Sequence, residues 1–247
     1  MKALPAFVTL LLVCCSASLA AARSARPVPE LEAIGVVQSG GLQFPDPLAR
    51  MYPNGGEARL LITVRADGEL TEWLVTGYSA PAFRSEAVTV LKDLKFIPAR
   101  MKGETITARA EIVVRFEARG MLVSTSTSME AFNLSARSGF EHDEFYRAFP
   151  VNRLDRLPKA LQVVSPIYPQ ELADKGVVGS VTVDFYIDEE GAVRMPSVLE
   201  QEPFALANAA VNAIRQWRFE SPMRQGKPAL AHAQQVFNFG VGARAAR

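Results

Sequence analysis

Few residues in this chain have side-chain chemistry to offer. Two histidines, His142 in "EHDEF" and His232 in "LAHAQQVF", stand among 26 Asp and Glu residues in a chain of 247. Zinc needs three or four convergent ligands, so one His beside loop carboxylates is a poor metal site, and His142 reads as part of a solvated acidic turn. No Ser stands near either His in a nucleophile setting, so no triad assembles. Asp188 and Glu189 lie in a turn, a poor place for paired glycosidase carboxylates. "QSGGLQ" has the glycines of a phosphate loop without the strand before it and the helix after it. The expectation is no catalytic residue, no metal site and no cofactor. What remains is backbone chemistry, the N–H and C=O groups of an unpaired sheet edge, and that depends on which elements the sequence builds.

The sequence writes one pattern twice. Phe219 lies 123 residues beyond Phe96, and the same offset carries Gly56 to Gly179, Gly68 to Gly191, Gly103 to Gly226 and Phe116 to Phe239. "FPDPLA" from Phe44 meets "YPQELA" from Tyr168 one residue out of step. Ala58, Leu60, Ile62 and Val64 alternate with Arg59, Leu61, Thr63 and Arg65, and Val181, Val183, Phe185 and Ile187 repeat that alternation. Period two means strands with one buried face. Each run ends on an acidic-Gly pair, Asp67-Gly68 or Glu190-Gly191, which is hairpin chemistry because Gly takes positive φ without cost. Second strands follow over 70–76 and 193–199, with Pro196 marking an edge or a bulge.

The period then changes. Phe83, Ala87, Val90, Leu91 and Leu94 share the spacing of Leu206, Ala210, Ala213, Ile214 and Trp217, each an amphipathic helix with one buried stripe. Last strands run over 106–116 and 229–239. The predicted class is α+β: two tandem β-β-α-β modules, each a three-stranded antiparallel sheet with one helix on one face. If the first two strands form a hairpin and the helix returns the chain to its start, the strand order must be 2-1-3. The third strand is then left on an edge.

The N-terminal segment, residues 1–22, is an uncharged apolar run behind Lys2, closing on small residues; it reads as a signal peptide, with an uncleaved anchor as the alternative. Cys14 and Cys15, the only cysteines, lie inside it. Without Lys2, basic and acidic residues balance, so no bulk field recruits nucleic acid. Boundaries are expected at 44–117 for the first module and 161–240 for the second. Residues 118–160 form a linker with one short helix around 144–148, and the tail frays.

"SPIYPQELADKGVVGSVTVDFYIDEEGAV" followed by "ALANAAVNAIRQWRFESPMRQGKPA" resembles the C-terminal domain of TonB, the periplasmic energy transducer. Tyr-Pro, Gly-x-x-Gly opening strand one, an acidic-Gly hairpin and Trp-Arg-Phe-x-x-Pro at the helix exit carry the likeness. It covers residues 166–239 well and 44–116 as a divergent copy without that Trp. The resemblance implies binding of a short peptide, the TonB box of outer-membrane transporters, as an added strand along strand three. The implied edge is His232, Gln234, Val236 and Asn238, and the implied flank is Ser165, Pro166, Ile167, Tyr168 and Pro169. Trp217, Arg218, Phe219 and Phe96 read as structural: Trp217 and Phe219 close the core, Arg218 sits at the helix end, and His232 faces water. Family transducers also carry an anchor His and a long Pro-rich spacer. Here the apolar segment has no His, and the roughly 20 residues after it reach about 70 Å when extended. The implied setting is the periplasm, with an inner-membrane tether if the signal stays uncleaved. An open alternative is an envelope scaffold in which the two modules pack as a pseudo-dimer with satisfied edges.

Overall fold

Residues 31–37, 44–117, 120–127, 146–198 and 204–240 are described by the computed structural model. The expectations placed on the N-terminal segment, "QSGG", His142 and the tail fall outside them. The fold is α+β, mostly strand. The first unit opens with β1 (Leu31–Glu32), β2 (Gly35–Val37) and the short helix α1 (Asp46–Met51), then β3 (Gly56–Val64), β4 (Leu70–Tyr78) and α2 (Pro81–Asp93). After α2 come β5 (Lys95–Ile97), β6 (Ala99–Met101), β7 (Glu104–Ile106), β8 (Ala108–Glu117) and β9 (Gly120–Thr127).

A crossing segment holds β10 (Tyr146–Arg147) and β11 (Phe149–Pro150). The second unit has β12 (Ala160–Gln162), α3 (Gln170–Asp174), β13 (Gly179–Ile187), β14 (Val193–Val198) and α4 (Phe204–Ile214). It closes with β15 (Arg218–Phe219), β16 (Met223–Arg224), β17 (Lys227–Pro228) and β18 (Ala231–Phe239).

The period-two residues bury as their spacing demands. Ala58, Leu60, Ile62 and Val64 meet Phe83, Ala87, Val90 and Leu91 of α2, and Val181, Val183, Phe185 and Ile187 meet Leu206, Ala210 and Ile214 of α4. The sheets run β10-β4-β3-β8-β9 and β11-β18-β13-β14, so in both units the first strand lies between the second and the third. Opposite Phe185, β14 carries an extra residue at Met195-Pro196, with Met195 at φ 50, a bulge of the kind that admits a proline.

Four expectations need correction. The sheets have five and four strands, because connecting residues join them. Residues 120–127, assigned to a linker, form β9, which pairs with β8 from Ala110↔Thr127 to Glu117↔Gly120. Met121 and Val123 pack into the helix-side core while Leu122 and Ser124 stay exposed, an alternation disguised by the Ser and Thr content. The third strand of the first unit is therefore not an edge. Instead of a helix around 144–148, the chain pairs with β4 at Tyr146 and Arg147, then crosses to pair parallel with β18 at Phe149 and Pro150. The units also begin earlier than residues 44 and 161: β2 pairs with β5 and β12 with β15, so each approach segment is strapped to the stretch around Phe96 or Phe219 after the helix.

That strapping explains why the Phe after the helix, Phe96 or Phe219, and the acidic-Gly pair recur together. Phe219 N donates to Gly191 O (2.9 Å), and Gly191, at φ 83, sits where an added Cβ would collide with Phe219 O. The repeated glycines Gly103 and Gly226 follow Lys102 and Gln225; all four residues have positive φ and close two-residue hairpins β6–β7 and β16–β17. Gly226 has open space around its Cβ position. Gly191→Ala is expected to cost about 2 kcal/mol or more and Gly226→Ala about 1 kcal/mol, since only the first adds a collision to the φ penalty. Urea unfolding of the two variants checks the ordering.

The sheet faces turned away from the helices also meet. Leu61, Leu74, Met195 and Leu230 are buried together, with Tyr146, Ala148 and Tyr186 against them. The β3 face expected to be outward thus carries a buried Leu61, 6% exposed.

Candidate functional site

The outer side of β18 is defined by its backbone. Phe149 N donates to Leu230 O (2.9 Å) on that side, so the alternation of an extended strand points the N–H and C=O of residues 232, 234, 236 and 238 the same way. β11 covers Ala231 and His232, and then Pro150, which has no N–H, ends the pairing. From Ala233 to Phe239 no strand pairs on this side among the described residues. The outward Val236 carbonyl accepts from the Gln235 side-chain amide (2.9 Å).

Side chains divide cleanly between the two faces of β18. Ala231, Ala233, Phe237 and Phe239 are buried under α4, while Gln234, Val236 and Asn238 are exposed. His232 does not simply face water: its Nε2 lies 2.6 Å from Asp184 Oδ1, and its ring lies 4.9 Å from that of Tyr186. Gln234 Nε2 reaches the same carboxylate oxygen at 3.4 Å.

Asp184 is the charged centre of the contact between the units. Its side chain is 2% exposed, and Arg109 of β8 donates to its Oδ2 at 3.3 Å and to Met195 O at 2.6 Å. Burial pushes the Asp184 carboxyl up. The hydrogen bond and charge of His232, the charge of Arg109 and the Gln234 amide outweigh burial and hold it below the ordinary carboxylate value. Around this pair, Met195 N donates to Glu72 Oε1 (3.0 Å), Arg194 Nη2 to Trp73 O (3.1 Å), and the Tyr146 hydroxyl to Glu189. Burial, joined by Glu189, pushes the Tyr146 phenol well above its usual range.

Of these residues the sequence reading names His232 and Gln234, as edge residues, and Glu189, as a turn acid; it does not single out Arg109, Asp184, Met195, Glu72, Arg194 or Tyr146. One signal was available: Arg109 and His232 stand 123 residues apart, at equivalent places in the repeat, and Asp184 is a lone acid inside an apolar strand.

The flank residues serve different ends. Ser165 and Ile167 are exposed, Ile167 at 85%, and Pro166 is half-buried. Tyr168 is a strut: its hydroxyl donates to the carbonyls of Val177 and Leu172, and its ring meets Phe239 edge-on at 5.8 Å, where β18 ends. Pro169 caps the start of α3.

Trp217, 8% exposed, packs on Phe237 (5.7 Å) and Phe219 (6.0 Å), and its Nε1 donates to Val164 O (2.8 Å), fastening the approach segment to the core. Arg218 donates to the carbonyls of Trp217 (2.8 Å) and Arg215 (3.4 Å) at the end of α4, where a helix C-terminus favours positive charge. Phe96 is half-buried against the first core.

Among the described residues no group of three His, Cys, Asp or Glu residues could hold a metal, and no helix is long and apolar enough to cross a membrane. The site offers a strand edge that is open among the described residues, with Val236 exposed on it.

Residues 164–241 match the family of Gram-negative bacterial TonB protein C-terminal domains. Protein TonB of Pseudomonas aeruginosa is 32% identical over 84 residues, 34% of this chain and 25% of that protein. Protein TonB of Yersinia enterocolitica is 40% identical over 65 residues, 26% of each chain. The solution structure of the Pseudomonas aeruginosa TonB C-terminal domain is 29% identical, covering 36% of this chain and 90% of that one, with a TM-score of 0.31. The chain thus spans about a quarter of the length of the curated relatives it matches. The matched residues 164–241 hold the Tyr-Pro strut, the hairpin, the Trp-Arg-Phe exit and the open strand, so it is this unit that is similar to the TonB C-terminal domain family.

Proposed function

We propose that this chain is an exported, TonB-like protein of the periplasm that takes part in TonB-dependent transport. It recruits an extended peptide of an outer-membrane transporter or another envelope protein as an added strand along β18. The observation that carries the reading is the stretch Ala233–Phe239 at the edge of the family-matched unit, whose outer side pairs with no strand among the described residues. Strand addition suits it: backbone hydrogen bonds supply affinity, and alternate side chains tune selectivity. Residues 44–117 are proposed to be a divergent copy of the same module, a reading supported by the constant offset and the shared strand order.

The decisive measurement is a titration of the processed protein with TonB-box peptides, followed by backbone amide NMR. Amides of residues 233–239 are expected to move; if they stay in place while the protein is folded, the recruitment reading fails. Val236→Pro should weaken the peptide at least about tenfold, roughly 1.4 kcal/mol. The substitution removes an outward N–H and leaves the β13 ladder its donors. Undiminished affinity in this variant would count against strand addition.

A second reading is favoured by the face-to-face contact of the sheets and by β9 on the β8 edge. In it the chain is an envelope scaffold whose units form an intramolecular pseudo-dimer without peptide traffic. The same titration separates the two.

A further inference from the structure

The stretch of β8 that β9 covers, Ala110–Glu117, corresponds through the 123-residue offset to Ala233–Gly240 of the second unit. β9 leaves Ala108 and Arg109 uncovered; β11 covers their counterparts Ala231 and His232 and stops there. One edge of the chain is therefore filled over the same register that the other leaves open. We infer that β9 is an internal ligand of the first unit, and that the guest of β18 shares its chemistry. That guest is an uncharged extended segment of about eight residues, alternating large apolar or β-branched side chains with hydroxyl-bearing ones, and one is bound per chain. The inference rests on the strand-addition reading and specifies its partner and its stoichiometry.

β9 reads "GMLVSTST" and carries no charge. Met121 (7% exposed) and Val123 lie across from Phe116 and Val114 and complete the core under α2, while Thr125 Oγ1 donates to Ile34 O (3.3 Å) of the approach segment. The counterparts of Phe116 and Val114 on β18 are Phe239 and Phe237. Those rings are lined by Tyr168 and Trp217, and Trp217 is bonded to Val164 of the second approach segment. A guest side chain on the α4 side would meet aromatic edges and aliphatic carbon, a surface on which a charge would be desolvated without a partner. On the other side β9 exposes Leu122 and Ser124, so size and polarity there are weakly constrained. The first unit cannot take a second guest, because its strand-three donors and acceptors already pair with β9.

The test uses the full processed chain and the acetylated, amidated peptide Gly-Met-Leu-Val-Ser-Thr-Ser-Thr, with a second peptide carrying Asp in place of its Met and Val. Isothermal titration should give one site per chain, amide shifts should fall on residues 233–239 and spare 110–117, and the Asp peptide should bind at least tenfold more weakly. Equal affinity of the Asp peptide, two sites per chain, or shifts on β8 would overturn the inference. So would a chain that sediments as a dimer without peptide and already protects its 233–239 amides, since a second copy would then be the occupant. If TonB-box peptides move residues 233–239 and this peptide does not, strand addition stands and the internal-ligand inference falls. If neither peptide moves them, both fall.

Discussion

Asp184→Ala should lower the free energy of unfolding by about 3–5 kcal/mol, because it removes the buried carboxylate that Arg109, His232 and Gln234 share at the contact between the sheets. The cost is that of stranded charge rather than of one lost contact. Arg109 keeps its bond to Met195 O, but its Nη2 loses the carboxylate, and its Nε already has no partner. Arg109→Met removes the cation together with the need for an anion and should cost less than Asp184→Ala. A double-mutant cycle over the pair should return a coupling above about 1 kcal/mol, read by urea unfolding. A loss within about 0.5 kcal/mol for Asp184→Ala would mean that the two sheets do not meet at this carboxylate.

The same residue sets a pH dependence with a definite sign. Asp184 is held below the ordinary carboxylate value in the folded chain, so its stabilisation is fully present above the unfolded value, near 3.9. That contribution is lost as pH falls through the lower folded value. The thermal midpoint should therefore drop below about pH 4, and the drop should be shallower in Asp184→Asn, which keeps an acceptor for His232 and Gln234 but has no proton to gain. Parallel pH profiles of the two proteins would remove Asp184 from the account of acid sensitivity.

These inter-unit groups mark where sequence reading stops. What was legible was local: alternation along β3 and β13, the 3.6-residue stripe of α2 and α4, the Gly residues at positive φ, and from connectivity the place of each third strand. All but the last follow from periodicity or backbone sterics within a dozen residues. The pairing of β9 with β8 was hidden because a Ser/Thr-rich run looks like linker; its two apolar side chains acquire meaning only beside Phe116 and Val114. β10 and β11 are two-residue pairings, too short for any period to register. Leu61 and Leu74 are single apolar residues on otherwise polar faces, and only a second sheet laid against them makes them core. Arg109 and Asp184 are 75 residues apart, so their meeting is a fact of tertiary packing that no local pattern encodes. The candidate edge was placed by topology, and its extent, seven residues rather than nine, was set by β11.

Trp217→Ala should cost about 3–5 kcal/mol and should also loosen the approach to the candidate edge, which sets it apart from an ordinary core truncation. The ring fills the corner between α4, Phe219 and Phe237, and its N–H is the tie that fastens Val164 to the core. Removing it opens a cavity beside β18 and leaves the Val164 carbonyl without that donor, so residues 160–167 lose a tie that the short β12–β15 pairing does not replace. Trp217→Phe isolates the second effect: it keeps most of the ring volume and loses the hydrogen bond, an expected cost of about 1 kcal/mol. Hydrogen exchange should then accelerate at residues 160–167 in both variants, whereas the amides of β13 should accelerate only in Trp217→Ala. If exchange at 160–167 is unchanged in Trp217→Phe, the indole N–H does not anchor the flank. A near-neutral Trp217→Ala would move the ring from the core to the binding surface, where its truncation would be read in peptide affinity instead of stability.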